Sequence, residues 1–195
     1  TDTLQLSAGS HVFSSDANFK NIETVLANSS GSSVNLSAQT EGFTIKGGAG
    51  IDTIIGGDGV DIITGGAGSD TFNVDAGIDT IKDLSASDIL VVSSGATANA
   101  TISASYTVTN VTKNDGTANL TIDTADLSTD LSLASGSAGF NITGSSGTDT
   151  ITATGKADTI IIGAAGKGNS DTMDGGADAD VLQLSAGAHA FADND

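Results

Sequence analysis

From Gly47 to Asn73 three nine-residue units run head to tail: Gly47-Gly48-Ala49-Gly50-Ile51-Asp52-Thr53-Ile54-Ile55, then Gly56 to Thr64, then Gly65 to Asn73. Each fits G-G-x-G-x-D-x-U-x, where U is a large apolar residue. Each position has its own physical task. The glycines allow turns with backbone angles that other residues avoid. The aspartate presents a hard oxygen ligand, and the U residue points into a core.

The spacing extends beyond these three units. Aspartates recur every nine residues at Asp52, Asp61, Asp70, Asp79 and Asp88, the last two in the decayed units Val74 to Lys82 and Asp83 to Val91. The apolar position is stricter: Leu36, Ile45, Ile54, Ile63, Phe72, Ile81 and Leu90 are all nine apart. Val34 and Phe43 occupy the aspartate position in the leading units, which predicts metal-free half-coils capping the start of a solenoid.

A second array repeats the pattern with Leu133, Ile142, Ile151 and Ile160 as the apolar rungs and Asp149 and Asp158 in the acidic position. Leu131 and Phe140 replace aspartate in its leading units. The phase then slips by four residues across Ala165 to Ser170, and Asp171 and Asp180 resume it with Met173 and Leu182. A longer period encloses both arrays. Leu4-Gln5-Leu6-Ser7-Ala8-Gly9 recurs as Leu182-Gln183-Leu184-Ser185-Ala186-Gly187, with His11 matching His189 and Phe13 matching Phe191, at an offset of 178 residues. Because terminal repeats of a solenoid are usually modified as caps, this recurrence predicts a segment of a longer tandem array.

The expected fold is therefore all-β, a parallel β-roll or β-helix solenoid with two calcium-binding arrays per superrepeat. Residues 1–33 are expected to hold the end of a preceding repeat and a linking β segment, 34–91 the first roll, and 92–130 a β-rich link with a hairpin. Residues 131–184 then form the second, degenerate roll and 185–195 the start of the next repeat. In the link, Asn114-Asp115-Gly116 between alternating segments predicts a hairpin turn. Segments 7–33 and 92–130 are open to two readings, distorted coils of one solenoid or small β-sandwich inserts.

Composition narrows the function. The chain of 195 residues has a formal charge of −18, 26 glycines, and no proline, cysteine or tryptophan. Hydrophobic content of 37% with 4% aromatics suits a thin core of Ile, Leu and Val. The acidic balance argues against nucleic acid, which needs a basic footprint, and against an anionic membrane surface. No apolar run approaches the roughly 20 residues of a membrane span. A compact fold this acidic repels itself unless cations neutralise it.

In a coil of two nonapeptides successive turns alternate between two edges, so residues 18 apart share an edge: Asp52 with Asp70, Asp61 with Asp79, Asp70 with Asp88. Two carboxylates and several turn carbonyls make an oxygen shell of the size calcium takes. Alternation along x-U-x places Ile54, Ile63 and Phe72 inside and Thr53, Thr71 and Thr80 outside. Ile55 and Ile62 are expected to face outward.

These residues resemble the RTX family, the hemolysin-type calcium-binding repeat of bacterial secreted proteins. The resemblance covers residues 47–73 closely and extends through 74–91 and, in degenerate form, 144–183. It implies a parallel β-roll, secretion through a type I system and folding outside the cell. It also implies calcium held by Asp52, Asp61, Asp70, Asp79 and Asp88 with the glycine turns Gly47, Gly48, Gly50, Gly56, Gly57, Gly59, Gly65, Gly66 and Gly68. The same role extends to Asp149, Asp158, Asp171 and Asp180, although Ser145, Ser146, Thr154, Lys156 and Lys167 depart from the glycine pattern. For the second array, plain turn formation by the aspartates stands beside the ligand role.

Catalysis is not expected. G-x-S-x-G, H-E-x-x-H and cysteine are absent, and Glu23 and Glu41 are the only glutamates. The leading expectation is a calcium-stiffened structural repeat of a large extracellular or cell-surface bacterial protein, a surface layer, filament or adhesin stalk, whose partners are calcium and neighbouring repeats or copies of itself. The alternative is a calcium-dependent secretion and stability module attached to a secreted protease, lipase or polysaccharide-modifying enzyme. Ice or glycan binding is disfavoured because the outward column Thr53, Ile62, Thr71, Thr80, Ile89 is interrupted. The N-x-S/T sites at Asn28, Asn35, Asn99, Asn110, Asn119 and Asn141 fit a by-product of Ser and Thr richness.

Overall fold

The computed structural model describes residues 1–162 and 171–185. One sheet runs the length of this region in the order β1 (Thr3–Gln5), β3 (Thr24–Leu26), β5 (Thr44–Gly48), β7 (Ile62–Gly66), β9 (Ile78–Ala86), β11 (Thr97–Thr107), β13 (Thr117–Ile122), β15 (Phe140–Thr143), β17 (Thr159–Ile162), β19 (Val181–Leu184). A second sheet faces its first half: β2 (Gly9–Val12), β4 (Ser32–Asn35), β6 (Thr53–Ile55), β8 (Thr71–Val74), β10 (Ile89–Val92) and β12 (Lys113–Asn114). Facing the second half are β14 (Ser128–Asp130), β16 (Thr150–Thr152) and β18 (Thr172–Asp174), which join the long sheet through the far end of β11. Every pairing is parallel. The chain is thus a parallel β-solenoid whose second wall changes partway along.

The regular coils follow from the nonapeptide. Ile45 pairs with Ile63, and Ile54 with Phe72, at the two-unit offset of 18. Strand alternation sends Ile54, Ile63, Phe72, Ile81 and Leu90 into the core with no solvent exposure, while Thr53, Thr71 and Thr80 lie on the outer surface. Ile62 also faces outward. Each fully buried Ile, Leu or Phe contributes about 1.5–3 kcal/mol, so a thin core suffices when every coil stacks on the next.

Segments 7–33 and 92–130 are coils of this same solenoid, not sandwich inserts. β2 continues the second sheet and β1 the first. Phe13, Phe19 and Phe43 fill the early coils with edge-to-face rings, centroids 4.7 and 5.4 Å apart. The expected hairpin is overturned: β11 and β13 pair parallel, Thr97 with Thr117 through Ile102 with Ile122. Asn114, Asp115 and Gly116 instead form a solenoid corner. Asn114 donates from Nδ2 to the Gly139 carbonyl at 2.6 Å, and Asp115 Oδ1 accepts from Ser137 N at 2.8 Å.

Two rungs are also reassigned. Coils before Ile45 are longer than 18 residues, so Val34, not Leu36, stacks on Ile54, and Ser32 takes the place level with Asp52. In the second roll Leu131 is fully buried while Leu133 is 61% exposed. A turn closed by Ala134 N donating to the Leu131 carbonyl at 2.8 Å flips Leu133 outward. The phase slip does appear as a register offset: Ile151 pairs with Met173 and Ile160 with Leu182, each 22 residues on. Ala165 to Ser170, Lys167 within it, and Ala186, Gly187, His189 and Phe191 lie outside the described residues.

On the outer face of the long sheet Asn119 Nδ2 donates to Asn99 Oδ1 and Asn141 Nδ2 to Asn119 Oδ1, both at 2.8 Å. Three of the N-x-T sites are therefore a stacked asparagine ladder that ties coils together.

Candidate metal centre

Asp52, Asp61 and Asp70 follow glycine turns, and each repeat aspartate sits at or beside the start of a strand. Its Oδ1 accepts a backbone N–H from the preceding coil: Asp52 from Ser32 at 2.7 Å, Asp61 from Phe43 at 2.7 Å, Asp70 from Asp52 at 2.9 Å, Asp79 from Asp61 at 3.1 Å and Asp88 from Asp70 at 2.9 Å. Same-edge stacking at a spacing of 18 is realised in these bonds. The second array repeats them, three across 22 residues and one across 18. Asp149 accepts from Leu127 at 3.3 Å, Asp171 from Asp149 at 2.9 Å and Asp180 from Asp158 at 2.9 Å, and Asp158 accepts from Phe140.

The other carboxylate oxygen divides the aspartates into two kinds. Oδ2 of Asp52, Asp61, Asp70 and Asp79 is buried and has no hydrogen-bond donor. Burying a carboxylate oxygen without a partner is costly, and among the described residues the one ion pair, Lys113 with Asp115, lies elsewhere. Burial, reinforced by Asp75, pushes Asp61 up to about 6 from an ordinary 3.8. Burial, with the charges of Asp88, Asp52 and Asp83 adding to it, brings Asp70 to about 6. Asp79 reaches about 7 through burial and then the charges of Asp61 and Asp75. Asp52, Asp75 and Asp88 are also raised, chiefly by burial. A cation would relieve all of these.

The glycine turns leave the room such a cation needs. A Cβ on Gly47 would stand 2.6 Å from Asp52 Oδ2 and against the Gly65 carbonyl, and one on Gly56 or Gly65 would strike Oδ2 of Asp61 or Asp70. Gly48, Gly57 and Gly66 adopt φ of +128°, +111° and +101°, a region that side chains avoid. Carbonyls crowd the same turns: that of Gly48 faces Gly66, that of Gly50 faces Gly68, and that of Glu41 faces Gly59. Among the described residues no group of three or more acidic or histidine side chains converges as a cage. Any ion here would draw the rest of its shell from turn carbonyls, which a hard, oxygen-seeking cation accepts.

The second kind of aspartate is internally capped. Asp149 Oδ2 accepts from Ser145 N at 2.7 Å and Ser145 Oγ at 2.8 Å. Asp158 Oδ2 accepts from Thr154 N and Thr154 Oγ1, both at 2.8 Å. Asp88, at the end of the first array, is capped likewise by Ser85 N at 2.8 Å and Ser85 Oγ at 3.0 Å. Asp180 returns to the open turn, with Gly176 at φ +88°. The residues preceding Asp171 are not among those described.

Sequence reasoning treated Ser145 and Thr154 only as departures from glycine and passed over Ser85. The readable signal was a hydroxyl residue three or four positions before the aspartate. It also missed Asp83, whose Oδ1 and Oδ2 accept the N–H groups of Gly65 at 2.9 Å and Gly66 at 2.8 Å and so hold that turn in place.

A family profile described as the RTX calcium-binding nonapeptide repeat matches residues 46–81, 143–161 and 165–188, in four copies. No curated protein and no solved structure matches the chain.

Proposed function

We propose that the chain, of which residues 46–81, 143–161 and 165–188 match the RTX calcium-binding nonapeptide repeat, is a calcium-stiffened structural segment of a large bacterial surface protein, of the surface-layer, filament or adhesin kind. The observation that carries this reading is the pairing of one uninterrupted sheet along the solenoid with four buried, donorless carboxylate oxygens at its two edges. Asp52 with Asp70 on one edge, and Asp61 with Asp79 on the other, would hold calcium, completed by carbonyls of the turns built on Gly47, Gly48, Gly50, Gly56, Gly57, Gly59, Gly65, Gly66 and Gly68. Calcium supplies positive charge where the fold has buried negative charge. What the chain supplies is the alignment: each Oδ1 is pinned by a backbone N–H from the coil before it, and Oδ2 of Asp52, Asp61 and Asp70 faces a glycine turn.

Metal binding to a site that the unfolded chain lacks adds its free energy to folding. Where calcium is scarce, carboxylate repulsion opposes the first roll; where it is abundant, the coils close. Leu4-Gln5-Leu6 in the region of β1 and Leu182-Gln183-Leu184 in β19 lie on the same long sheet, which favours units that continue one another along it at about 4.8 Å per coil. Small-angle scattering of the chain, paired with circular dichroism, tests the reading. A compact rod rich in β structure is expected in calcium and an expanded first roll in EGTA. Identical profiles in the two conditions would end the proposal.

A further inference from the structure

Of the seven buried repeat aspartates, four leave Oδ2 without a donor and three have it capped, and for five of them, Asp79 and Asp88 apart, the residue at the second position of the nonapeptide separates the two kinds. Where that residue is Gly48, Gly57 or Gly66, the backbone turns at positive φ and the Oδ2 of Asp52, Asp61 or Asp70 has no donor. Where it is Ser145 or Thr154, the residue keeps an ordinary φ; the non-glycine residues at positive φ are Asn21, Asp126 and Asp178 among those described. Its N–H and its hydroxyl both point at the carboxylate oxygen. The hydroxyl oxygen is used as well. Ser145 Oγ accepts from Gly147 N at 3.1 Å, and Thr154 Oγ1 from Lys156 N at 3.0 Å. Donor and acceptor capacity of the hydroxyl are both spent inside the turn.

We infer that Asp149 and Asp158 bind no calcium, because the hydroxyl turns of Ser145 and Thr154 occupy the carboxylate oxygen that the glycine turns leave for the ion. The second roll is held at these two turns by its own hydrogen bonds. A divalent cation at Asp149 Oδ2 would meet two protons aimed at the same oxygen, and its binding would require breaking both bonds from Ser145, in a turn that is half-buried. Nor can the turn simply convert to the glycine form, since Ser or Thr at φ near +100° is strained. Ser85 gives Asp88 the same treatment at the end of the first array, so between Ser85 and Asp158 the described coils form a stretch that folds without metal. Two segments that share one repeat profile thereby divide into a calcium-responsive part and a calcium-indifferent part.

The inference rests on the proposal that the first array holds calcium, and the experiment separates the two. Calcium bound per chain is measured by equilibrium dialysis for the whole chain, for Asp149→Asn with Asp158→Asn, and for Ser145→Gly with Thr154→Gly. The asparagine pair is expected to bind as many ions as the parent, and the glycine pair one or two more. Loss of ions in the asparagine pair, with its circular dichroism intact, overturns the inference, as does a glycine pair that gains none. If the asparagine pair does not fold, carboxylate carbon resonances of the parent decide. Asp149 and Asp158 are expected to stay fixed during a calcium titration while Asp52 and Asp70 move, and equal movement of all four overturns the inference. A parent chain that binds no calcium at all refutes instead the function proposed for the first array.

Discussion

Replacing Asp70 by asparagine should stabilise the protein in EGTA and destabilise it in calcium. Asp70 is 1% exposed, its Oδ1 accepts the Asp52 N–H at 2.9 Å, and its Oδ2 has no donor. Asparagine keeps the acceptor and removes the charge. The carboxyl is raised from 3.8 to about 6, which at about 1.36 kcal/mol per tenfold change in acidity amounts to roughly 3 kcal/mol acting against the folded, calcium-free form near pH 8. An amide NH2 left without a full set of partners returns about 1–2 kcal/mol of that. The net gain is then about 1–2 kcal/mol, or roughly 2–8 °C in Tm for a chain of this size.

In millimolar calcium the sign reverses, because the variant has lost an anionic ligand and the free energy of ion binding with it. Thermal melts followed by circular dichroism near pH 8, in EGTA and in calcium, should therefore cross: the variant melts above the parent in the first and below it in the second. Below about pH 3 the variant's advantage in EGTA should be gone, since Asp70 is then protonated in both folded and unfolded chains. A variant that melts below the parent in EGTA near pH 8 would refute the argument, for it would mean that the ionised carboxylate favours the fold by itself.

Acidity should partly substitute for calcium. Asp61, Asp70 and Asp79 are raised in the folded chain, so between about pH 4 and 7 the folded state holds more protons than the unfolded one, and stability in EGTA falls as pH rises through that window; a Tm that climbs from pH 5 to 8 in EGTA would contradict this. Gly66→Ala, at φ +101° with its new Cβ against the Gly48 carbonyl, should cost more than about 2 kcal/mol and weaken calcium binding, as read by melts and dialysis. Ile63→Ala removes a fully buried side chain and should cost about 2–5 kcal/mol in denaturant titrations. Leu131→Ala should be similarly harmful while Leu133→Ser stays within about 0.5 kcal/mol, a contrast that tests which of the two leucines enters the core.

The nonapeptide made the regular coils legible because one period set strand alternation, turn position and carboxylate placement together. Ile45, Ile54, Ile63, Phe72 and Ile81 all stack where the spacing of nine puts them. Legibility failed where turns changed length without disturbing alternation. Val34 and Leu36 are both apolar and both buried, so the sequence pattern alone does not say which one meets Ile54. Leu131 and Leu133 share a parity, yet a turn intervenes and only one goes inside. The hairpin expected at Asn114 to Gly116 failed for a related reason: a solenoid corner and a two-residue hairpin use the same Asn, Asp and Gly chemistry, and they differ only in where the next strand lands. At the proposed metal centre, Asp52 to Asp79 stood out by spacing. The hydroxyl caps on Asp88, Asp149 and Asp158 did not, because serine and threonine are so common in this chain that none marks itself.

The long sheet has a mechanical consequence. Its strands lie across the solenoid axis, so the interstrand hydrogen bonds, the asparagine ladder and the Oδ1 contacts all point along it. Tension applied between β1 and β19 would load these bonds a coil at a time, as a zipper is opened, and not all together in shear. Each coil of 18 to 23 residues set by the register would release roughly 60–75 Å of extended chain. A solenoid loaded in this way would yield in small steps and lengthen many-fold before it breaks. Ions bridging neighbouring coils would make the first roll the stiff link, and the hydroxyl-locked coils after it the ones whose give does not depend on calcium.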